Sequence, residues 1–146
     1  MNKARILIID DDPTIQTLFS ALLTQQGYEA DVASNGEEAI EKSEAKFYNL
    51  ALIDIRLPDM KGTELLSKLK SATPKMRKII ITGYPDLQNA IASIQKGANY
   101  YLVKPVNSEE LVDVLHNQLL EQREEENYSE KKVCEFVETR LKQNSI

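Results

Sequence analysis

Short apolar runs alternate along the chain with segments whose apolar residues recur at helical spacing. Five segments have the composition of strands: 6–9, 28–32, 50–53, 79–81 and 101–103. In the second of these, apolar and acidic residues alternate, which is typical of a strand with one wetter face at the edge of a sheet. Each strand is followed by a helical segment. Because crossovers between parallel strands are right-handed, five such units predict a parallel sheet with helices on both faces.

Capping signals mark the ends of several helices. Ser34 and Glu37 have the spacing of a capping box that opens the second helix, and Asn107 and Glu110 have it for the last clear helix. The fourth helix carries apolar residues at i, i+3, i+4 and i+7, and we expect it to end at Gly97. The third helix is predicted from three leucines: Leu65, Leu66 and Leu69.

The character of the chain changes near residue 121. Residues 3–121 contain all the strand and helix units and are predicted to form one α/β domain. Residues 122–146 are mostly polar, and we interpret them as a helical extension or a linker rather than a defined partner-binding element. Apolar residues recur there at positions 133, 137 and 141, but no heptad register persists, so a sustained coiled coil is not supported.

Bulk properties exclude some classes of function. The chain has 146 residues and a net charge of −5, without a basic stripe that could neutralise nucleic-acid phosphates. No apolar run approaches the roughly 20 residues that span a bilayer, and the first residues lack the apolar region of a signal peptide. Cys134 is the only cysteine, which rules out an intrachain disulfide. We therefore expect a cytoplasmic protein that binds neither membranes nor, by this chain, nucleic acid.

Polar residues follow four of the predicted strands where each strand ends. They are Asp10 and Asp11, Asp54, Thr82, and Lys104. The carboxyl ends of parallel strands lie along one edge of a sheet, and ligands bind in the crevice there. We therefore expect carboxylates, a hydroxyl and an ammonium to meet at one place, which could hold a divalent cation and a phosphoryl group.

The acidic residues favour a metal site. Carboxylates about 4 Å apart repel by about 4 kcal/mol at an effective dielectric constant of 20, so such a group needs a cation or protons. Magnesium takes one or two protein carboxylates and completes its octahedron with water and phosphate oxygens. Asp12 precedes Pro13 and is explained as the N-cap of the first helix, which leaves Asp10 and Asp11 for the metal.

The other strand-end residues fit covalent phosphoryl transfer. Asp54 is either a turn or capping aspartate, or a nucleophile that forms an acyl phosphate. Thr82 could donate a hydrogen bond to a phosphoryl oxygen, and Lys104 could neutralise phosphoryl charge as a point cation. Phosphoryl transfer requires mainly positioning and charge stabilisation, so this set of side chains would suffice.

These motifs together resemble the receiver domain of two-component response regulators, over about residues 3–121. The segments that carry the resemblance are 6–13, 54–58 with Gly62, 82–83 and 97–105. The resemblance implies a flavodoxin-like sheet of strand order 2-1-3-4-5. It also implies a protein that accepts a phosphoryl group on Asp54 from a histidine kinase or phosphotransfer protein, and that catalyses only its own phosphorylation and dephosphorylation.

The resemblance also assigns roles to individual residues. Mg²⁺ or Mn²⁺ would be held by Asp10, Asp11, Asp54 and the backbone carbonyl of Arg56. Thr82 and Lys104 would hold the phosphoryl oxygens, and the Lys104–Pro105 peptide bond would be cis. The last two helices and the fifth strand would form the signalling surface and a homodimer interface.

Three further side chains have more local interpretations. Tyr101 matches the aromatic switch of the family, and the alternative is a strand tyrosine packed on the last helix. Arg56 and Tyr84 would flank the path of the hydrolytic water, and because both are large we predict slow hydrolysis of the acyl phosphate. His116 is interpreted as an ordinary surface residue of the last helix rather than a phosphorelay residue.

Two other functions compete with this interpretation. Asp10 to Thr14 contains the D-x-D-x-T pattern of haloacid-dehalogenase-like phosphatases, but no acidic pair follows the lysine at a strand end, and Asp54 would have no role. A receiver-like binding module without phosphorylation is the other alternative, although every residue expected for the chemistry is present. The kinase, the signal and the output cannot be read from the sequence.

Overall fold

The computed structural model of the chain describes residues 3–144, so the last two residues of the predicted extension lie outside it. Within that range, five strands and five helices alternate. The elements are β1 (Arg5–Ile9), α1 (Pro13–Gln25), β2 (Glu29–Ala33), α2 (Gly36–Ala45), β3 (Leu50–Asp54), α3 (Gly62–Leu65), β4 (Arg77–Thr82), α4 (Leu87–Gln95), β5 (Tyr100–Val103) and α5 (Ser108–Asn144).

The strands form one parallel sheet of order β2-β1-β3-β4-β5. The predicted sheet and its strand order are therefore confirmed, and β2 lies at an edge as its alternating pattern indicated. The chain first adds β2 on one side of β1 and then β3 on the other side. In doubly wound folds the ligand crevice opens at this reversal, outside the carboxyl ends of the two strands.

Helices cover both faces of the sheet and bury two apolar clusters. On one face α1 and α5 contribute Phe19, Leu23, Leu111 and Leu115. On the other face, α2 and the region of α3 contribute Ala39 and three leucines. The central strands are buried on both sides, which explains why they read as continuous aliphatic runs.

The beginnings of the first two helices differ in how well the sequence predicted them. The carboxylate of Asp12 accepts a hydrogen bond of 2.9 Å from the backbone N–H of Thr14, and Pro13 is the first residue of α1, as predicted. The predicted capping box at Ser34 and Glu37 is wrong, because the N-cap lies one residue further along the chain. Asn35 is the N-cap of α2 and accepts from the N–H of Glu38 at 2.8 Å. Asparagine and serine are about equally good N-cap residues. Two adjacent candidates therefore leave open which residue begins the helix.

The third helix is shorter than its leucines indicated. It spans only Gly62–Leu65, and turns follow it. All three leucines are nevertheless buried, because the turn after α3 packs against the same cluster as α2. Burial of a leucine-rich segment thus does not require a continuous helix.

The apolar side of α4 faces outward. Leu87 is 76% exposed, Ile91 48% and Ile94 64%, and on the neighbouring strand Tyr100 and Val103 are also exposed. We call these five side chains the α4–β5 apolar face. The helical spacing of the apolar residues in α4 was predicted correctly, but Leu87, Ile91 and Ile94 are exposed and do not pack into either core cluster.

Helix α5 continues without a break for 37 residues, about 55 Å at 1.5 Å per residue. Where it leaves the sheet it is held by buried polar residues. The amide nitrogen of Gln122, which is 3% exposed, donates to the carbonyls of Asn49 and Lys75, both at 2.8 Å. Beyond this point the helix is largely exposed. None of the described helices is both long and apolar enough to cross a membrane.

Arg77 is the second polar contact between α5 and the amino-terminal edge of the sheet. Its side chain is 8% exposed, and Nη1 donates to Gln118 at 3.3 Å and to Glu121 at 3.5 Å. Nη2 lies 2.5 Å from Glu125 Oε1, but without hydrogen-bond alignment, so that contact is a charge pair only. We refer to Arg77, Gln118 and Gln122 as the basal clamp.

Candidate functional site

The carboxyl-terminal edge of the sheet gathers the acidic residues that the sequence pattern singled out. Ile9 pairs with Ile53 in the sheet, so Asp10 and Asp54, the next residue of each strand, emerge side by side. One carboxylate oxygen from each of Asp10, Asp11 and Asp54 lies within 4.8 Å of the others. Residues more than forty positions apart in sequence therefore form one acidic group, with Asp10 buried and Asp11 exposed.

Lys104 brings the positive charge to this group. Its Nζ is 2.9 Å from Asp10 Oδ2 and 3.7 Å from Asp54 Oδ2. The backbone N–H of Lys104 donates to the carbonyl of Thr82 at 2.7 Å, which extends the pairing of β4 and β5 to the site. The Lys104–Pro105 peptide bond is cis, as the family resemblance implies.

The pKa shifts indicate a surplus of negative charge. Burial raises the pKa of the Asp54 carboxyl, the charge of Asp10 raises it further, and Lys104 only partly opposes these effects. For Lys104, burial alone would lower the pKa of the ammonium. The hydrogen bond and charge of Asp10, together with the charge of Asp54, outweigh burial, so the net pKa is raised. Three carboxylates share one ammonium, and a further cation would relieve their repulsion.

The donor set fits a hard divalent cation. The oxygens of Asp10, Asp11 and Asp54 are the ligand type that Mg²⁺ and Mn²⁺ take. Asp12 does not join this group, because its carboxylate caps α1. Gly62 allows the loop after β3 to fold back beneath Asp54: a Cβ there would lie 2.4 Å from the Asp54 carbonyl oxygen.

Thr82 lies at the end of β4, next to this group. Asp54 pairs with Ile81, so Thr82 is one residue further along the neighbouring strand. The residue is fully buried, and its Oγ1 accepts a hydrogen bond of 2.9 Å from the backbone N–H of Tyr84. A hydroxyl that accepts this bond still has its own hydrogen to donate to an incoming oxyanion.

Tyr101 packs on the face of the sheet opposite to α5. Its ring contacts the apolar cluster of α2 and the α3 region, whereas the residues of α5 belong to the other cluster. The alternative of a tyrosine packed on the last helix is therefore wrong. The hydroxyl oxygen is buried and has no hydrogen-bond partner within residues 3–144.

Arg56 and Tyr84 form a contact that sequence reasoning did not foresee. The guanidinium carbon of Arg56 is 3.6 Å from the centroid of the Tyr84 ring, a cation–π stack between the β3–α3 and β4–α4 loops. The resemblance places both side chains along the path of the hydrolytic water, but it implies no contact between them. The signal that could have linked them is a cation and an aromatic ring at the ends of adjacent strands.

Two more polar residues near the site were not anticipated. Gln16 on α1 donates to the carbonyl of Asp10 at 2.6 Å and to Ser34 Oγ at 3.0 Å. Asp59 in the β3–α3 loop caps α2 from outside that helix. Neither residue follows an apolar run or a motif spacing, so the sequence carried no signal for them. His116 is exposed on α5, as expected, and takes no part in the acidic group.

Comparison with known proteins agrees with the geometry. The profile of the family described as the response regulator receiver domain matches residues 6–116. The transcriptional regulatory protein ZraR of Klebsiella oxytoca is 38% identical over 106 residues, which are 73% of this chain and 24% of that protein. The chain thus spans about a quarter of the length of the curated relatives it matches.

Solved structures are similar over most of the chain. A CheY-like receiver domain from Methanospirillum hungatei has a TM-score of 0.81 and 44% identity, covering 85% of this chain and 99% of that one. A response regulator from Burkholderia pseudomallei, solved with a phosphorylated aspartic acid and a calcium ion, has a TM-score of 0.73 and 28% identity, covering 87% of this chain and 75% of that one. This chain belongs to the family of response regulator receiver domains.

Proposed function

We propose that Asp54 accepts a phosphoryl group from a histidine kinase or phosphotransfer protein in a reaction that requires Mg²⁺ or Mn²⁺. The observation that carries this proposal is the convergence of three carboxylates and one ammonium around Asp54. The phosphorylated aspartic acid in the structure of the Burkholderia regulator supports it by similarity.

The step is a transfer between a phosphohistidine and Asp54. A carboxylate oxygen of Asp54 attacks phosphorus, the phosphorus–nitrogen bond breaks, and the imidazole nitrogen keeps the electron pair. Lys104 compensates charge on the phosphoryl oxygens, and Thr82 donates its hydroxyl hydrogen to one of them. Asp10, Asp11, Asp54 and the backbone carbonyl of Arg56 would hold the metal ion, which when bound offsets the charge of the carboxylates and the phosphoryl group.

Phosphorylation then changes the surface that partners bind. Thr82 moves toward the phosphoryl group, and Tyr101 follows within the space beside β4. A ligand shifts such an equilibrium only by its difference in affinity for the two states, here through contacts with Thr82 and Lys104. The α4–β5 apolar face and α5 form the output and homodimer surface. Five exposed apolar side chains on that face support this part of the proposal.

The domain boundary falls near residue 121. Residues 3–121 form the receiver domain, and residues 122–146 are a polar helical extension or linker. The net charge of −5 supports the prediction that this chain itself does not bind nucleic acid, although relatives such as ZraR are named transcriptional regulators. A cytoplasmic location likewise stays a prediction.

Arg56 and Tyr84 slow the hydrolysis of the acyl phosphate. The stack joins the loops that follow Asp54 and Thr82, and two large side chains held together there would narrow the approach of water. We expect the phosphorylated protein to lose its label over minutes or longer without a phosphatase, and faster once Tyr84→Ala opens the stack. Loss within seconds in the unchanged protein would show that this part of the proposal is wrong.

The proposal is tested by treating the chain with acetyl phosphate and Mg²⁺. We expect one acid-stable, hydroxylamine-labile phosphoryl group by mass spectrometry, absent in Asp54→Asn and in the presence of EDTA. Asp12→Asn is the matched control, since it changes a neighbouring carboxylate that caps α1, and it keeps the label. A label that persists in Asp54→Asn contradicts the proposal.

The same assay separates the competing functions. A phosphatase would turn over a phosphomonoester steadily, and its acid–base aspartate would be Asp12, which is engaged as a helix cap. A binding module without phosphorylation would show neither a label nor binding of beryllofluoride.

A further inference from the structure

The loop between β3 and α3 folds back on itself just after Asp54. Arg56 and Lys61 pair as an isolated antiparallel bridge, and the N–H of Leu57 donates to the carbonyl of Met60 at 3.3 Å. The N–H of Gly62 donates to the carbonyl of Ile55 at 2.8 Å. The loop is thus a short hairpin, and moving its tip also moves the backbone of Arg56.

The tip of this hairpin is fastened to α2 by a single aspartate. Asp59 Oδ1 accepts from the N–H of Gly36 at 2.8 Å, and Oδ2 accepts from the N–H of Glu37 at 2.9 Å. These two donors belong to the first turn of the helix, where backbone N–H groups have no partner within the helix. A carboxylate is also favoured there by the helix dipole.

Van der Waals contact strengthens the same junction. A Cβ atom on Gly36 would lie 2.4 Å from the sulfur of Met60, the residue after Asp59. The start of α2 therefore touches the Met60 side chain directly, and a larger residue at position 36 would displace that flexible side chain.

The start of α2 is also tied to the end of β1. Gln16 bridges the carbonyl of Asp10 and the hydroxyl of Ser34, and the carboxylate of Glu38 accepts from the N–H of Ser34 at 3.2 Å. The start of α2 is therefore linked through Ser34 and Gln16 to the end of β1, and through Asp59 to the loop that follows β3. Through Asp59, it determines where the β3–α3 loop lies relative to Asp10.

We propose that Asp59 is a positioning residue for the divalent cation that the proposed function requires. It does not contact the cation. It holds the hairpin that carries Arg56, whose backbone carbonyl would join the carboxylates of Asp10, Asp11 and Asp54 around the cation. Without Asp59 the hairpin samples other positions, and the cation must order it on binding, which weakens affinity.

The test is the dissociation constant for Mg²⁺, measured by isothermal titration calorimetry on the whole chain. We expect Asp59→Ala to raise it about 10-fold, the lower end of the range for residues behind metal ligands. Asp59→Asn keeps one acceptor oxygen, and we expect a rise of about threefold. At saturating Mg²⁺, phosphorylation of both variants by acetyl phosphate stays within about twofold of the unchanged protein, because the reacting groups are intact.

Asn35→Ala is the matched control. It removes the residue that caps the same helix from within, through the N–H of Glu38, and leaves the contacts of Asp59 in place. We expect it to lower the melting temperature about as much as Asp59→Ala does, while its dissociation constant for Mg²⁺ stays within about twofold of the unchanged protein.

The outcomes are distinguishable. An unchanged dissociation constant in both Asp59 variants overturns the inference and leaves the proposed function standing. An equal loss of affinity in Asn35→Ala also overturns it, since the cause would then be general loosening of α2. If the unchanged protein binds no Mg²⁺ and accepts no phosphoryl group, the proposed function fails and this inference with it.

Discussion

The two edges of the sheet treat buried polar groups in opposite ways. At the carboxyl-terminal edge, Lys104 pairs with Asp10 and Asp54, and the exposed Asp11 adds a third carboxylate, so the charges are not balanced. At the amino-terminal edge, the buried amide of Gln122 satisfies two backbone carbonyls. Negative charge at the first edge is only partly compensated, whereas the polar groups at the second edge have hydrogen-bond partners.

Two aspartates show the same contrast in their pKa values. Burial and the charge of Asp10 raise the pKa of Asp54. The hydrogen bond of 2.6 Å from the Tyr48 hydroxyl lowers the pKa of Asp31, although burial opposes it. Polar groups in conflict with their surroundings mark a candidate functional site, whereas complementary ones stabilise the fold. The predictions below test this distinction through the free energy of unfolding.

The largest effect is expected at the basal clamp. Gln122→Leu removes the buried amide donor, which leaves the carbonyl of Lys75 without this bond and that of Asn49 with only the N–H of Arg77, and should cost about 3 kcal/mol. Urea denaturation followed by circular dichroism measures the loss. Asn117→Leu changes an exposed amide on the same helix and should have little effect. The proposed phosphorylation of Asp54 should be the same in both variants, and its loss in Gln122→Leu alone would contradict a purely structural role for Gln122.

Arg77→Leu should have the next largest effect, about 2 kcal/mol. The substitution leaves the buried Oε1 of Gln118 without its donor, whereas Glu121 and Glu125 are exposed and become hydrated. Lys132→Ala, which removes the exposed pair with Glu135, is the comparison and should cost less than about 0.5 kcal/mol. Equal losses in the two variants would show that burial of Arg77 is not what matters.

Removing a charge at the carboxyl-terminal edge should raise the free energy of unfolding instead of lowering it. Asp54→Asn relieves repulsion with Asp10 and loses some attraction to Lys104, so the metal-free protein should gain about 1 kcal/mol. Mg²⁺ should stabilise the unchanged protein and not the variant, because only the folded acidic group binds it. Melting curves with Mg²⁺ and with EDTA test both statements. A metal-free variant less stable than the parent would refute the idea of unbalanced charge.

The smallest effect concerns pH. Because the folded pKa of Asp31 is lowered, its contribution to stability is present above its unfolded pKa, about 3.9, and is lost as pH falls through the folded value. Tyr48→Phe removes the main cause of the shift, so it should cost about 0.5 kcal/mol near neutral pH and progressively less below about pH 4. Urea titrations at several pH values measure this. A difference that widens in acid would mean the sign is wrong.

Much of the fold and the candidate site could be predicted because their signals are local. Aliphatic runs, the cap at Asp12 and the order of strand–helix units follow from neighbouring residues and from the handedness of crossovers. Parallel strands then bring their carboxyl ends to one edge. This is why Asp10, Asp54 and Lys104 could be assigned to one place without coordinates.

Other features depend on contacts between distant segments, and no local pattern encodes them. The apolar residues of α4 would have the same helical spacing whether they faced a core or solvent. Only the packing of the folded chain shows that they face solvent. The charged residue Arg77 reads as exposed until α5 supplies its partners from more than forty positions away. Asp59 is an ordinary loop residue until α2 offers two free N–H groups. The sequence by itself determined the elements, their order and the chemistry available at one edge. The tertiary structure decided which polar groups are paired, because pairing depends on which distant segments of the chain lie next to each other in the fold.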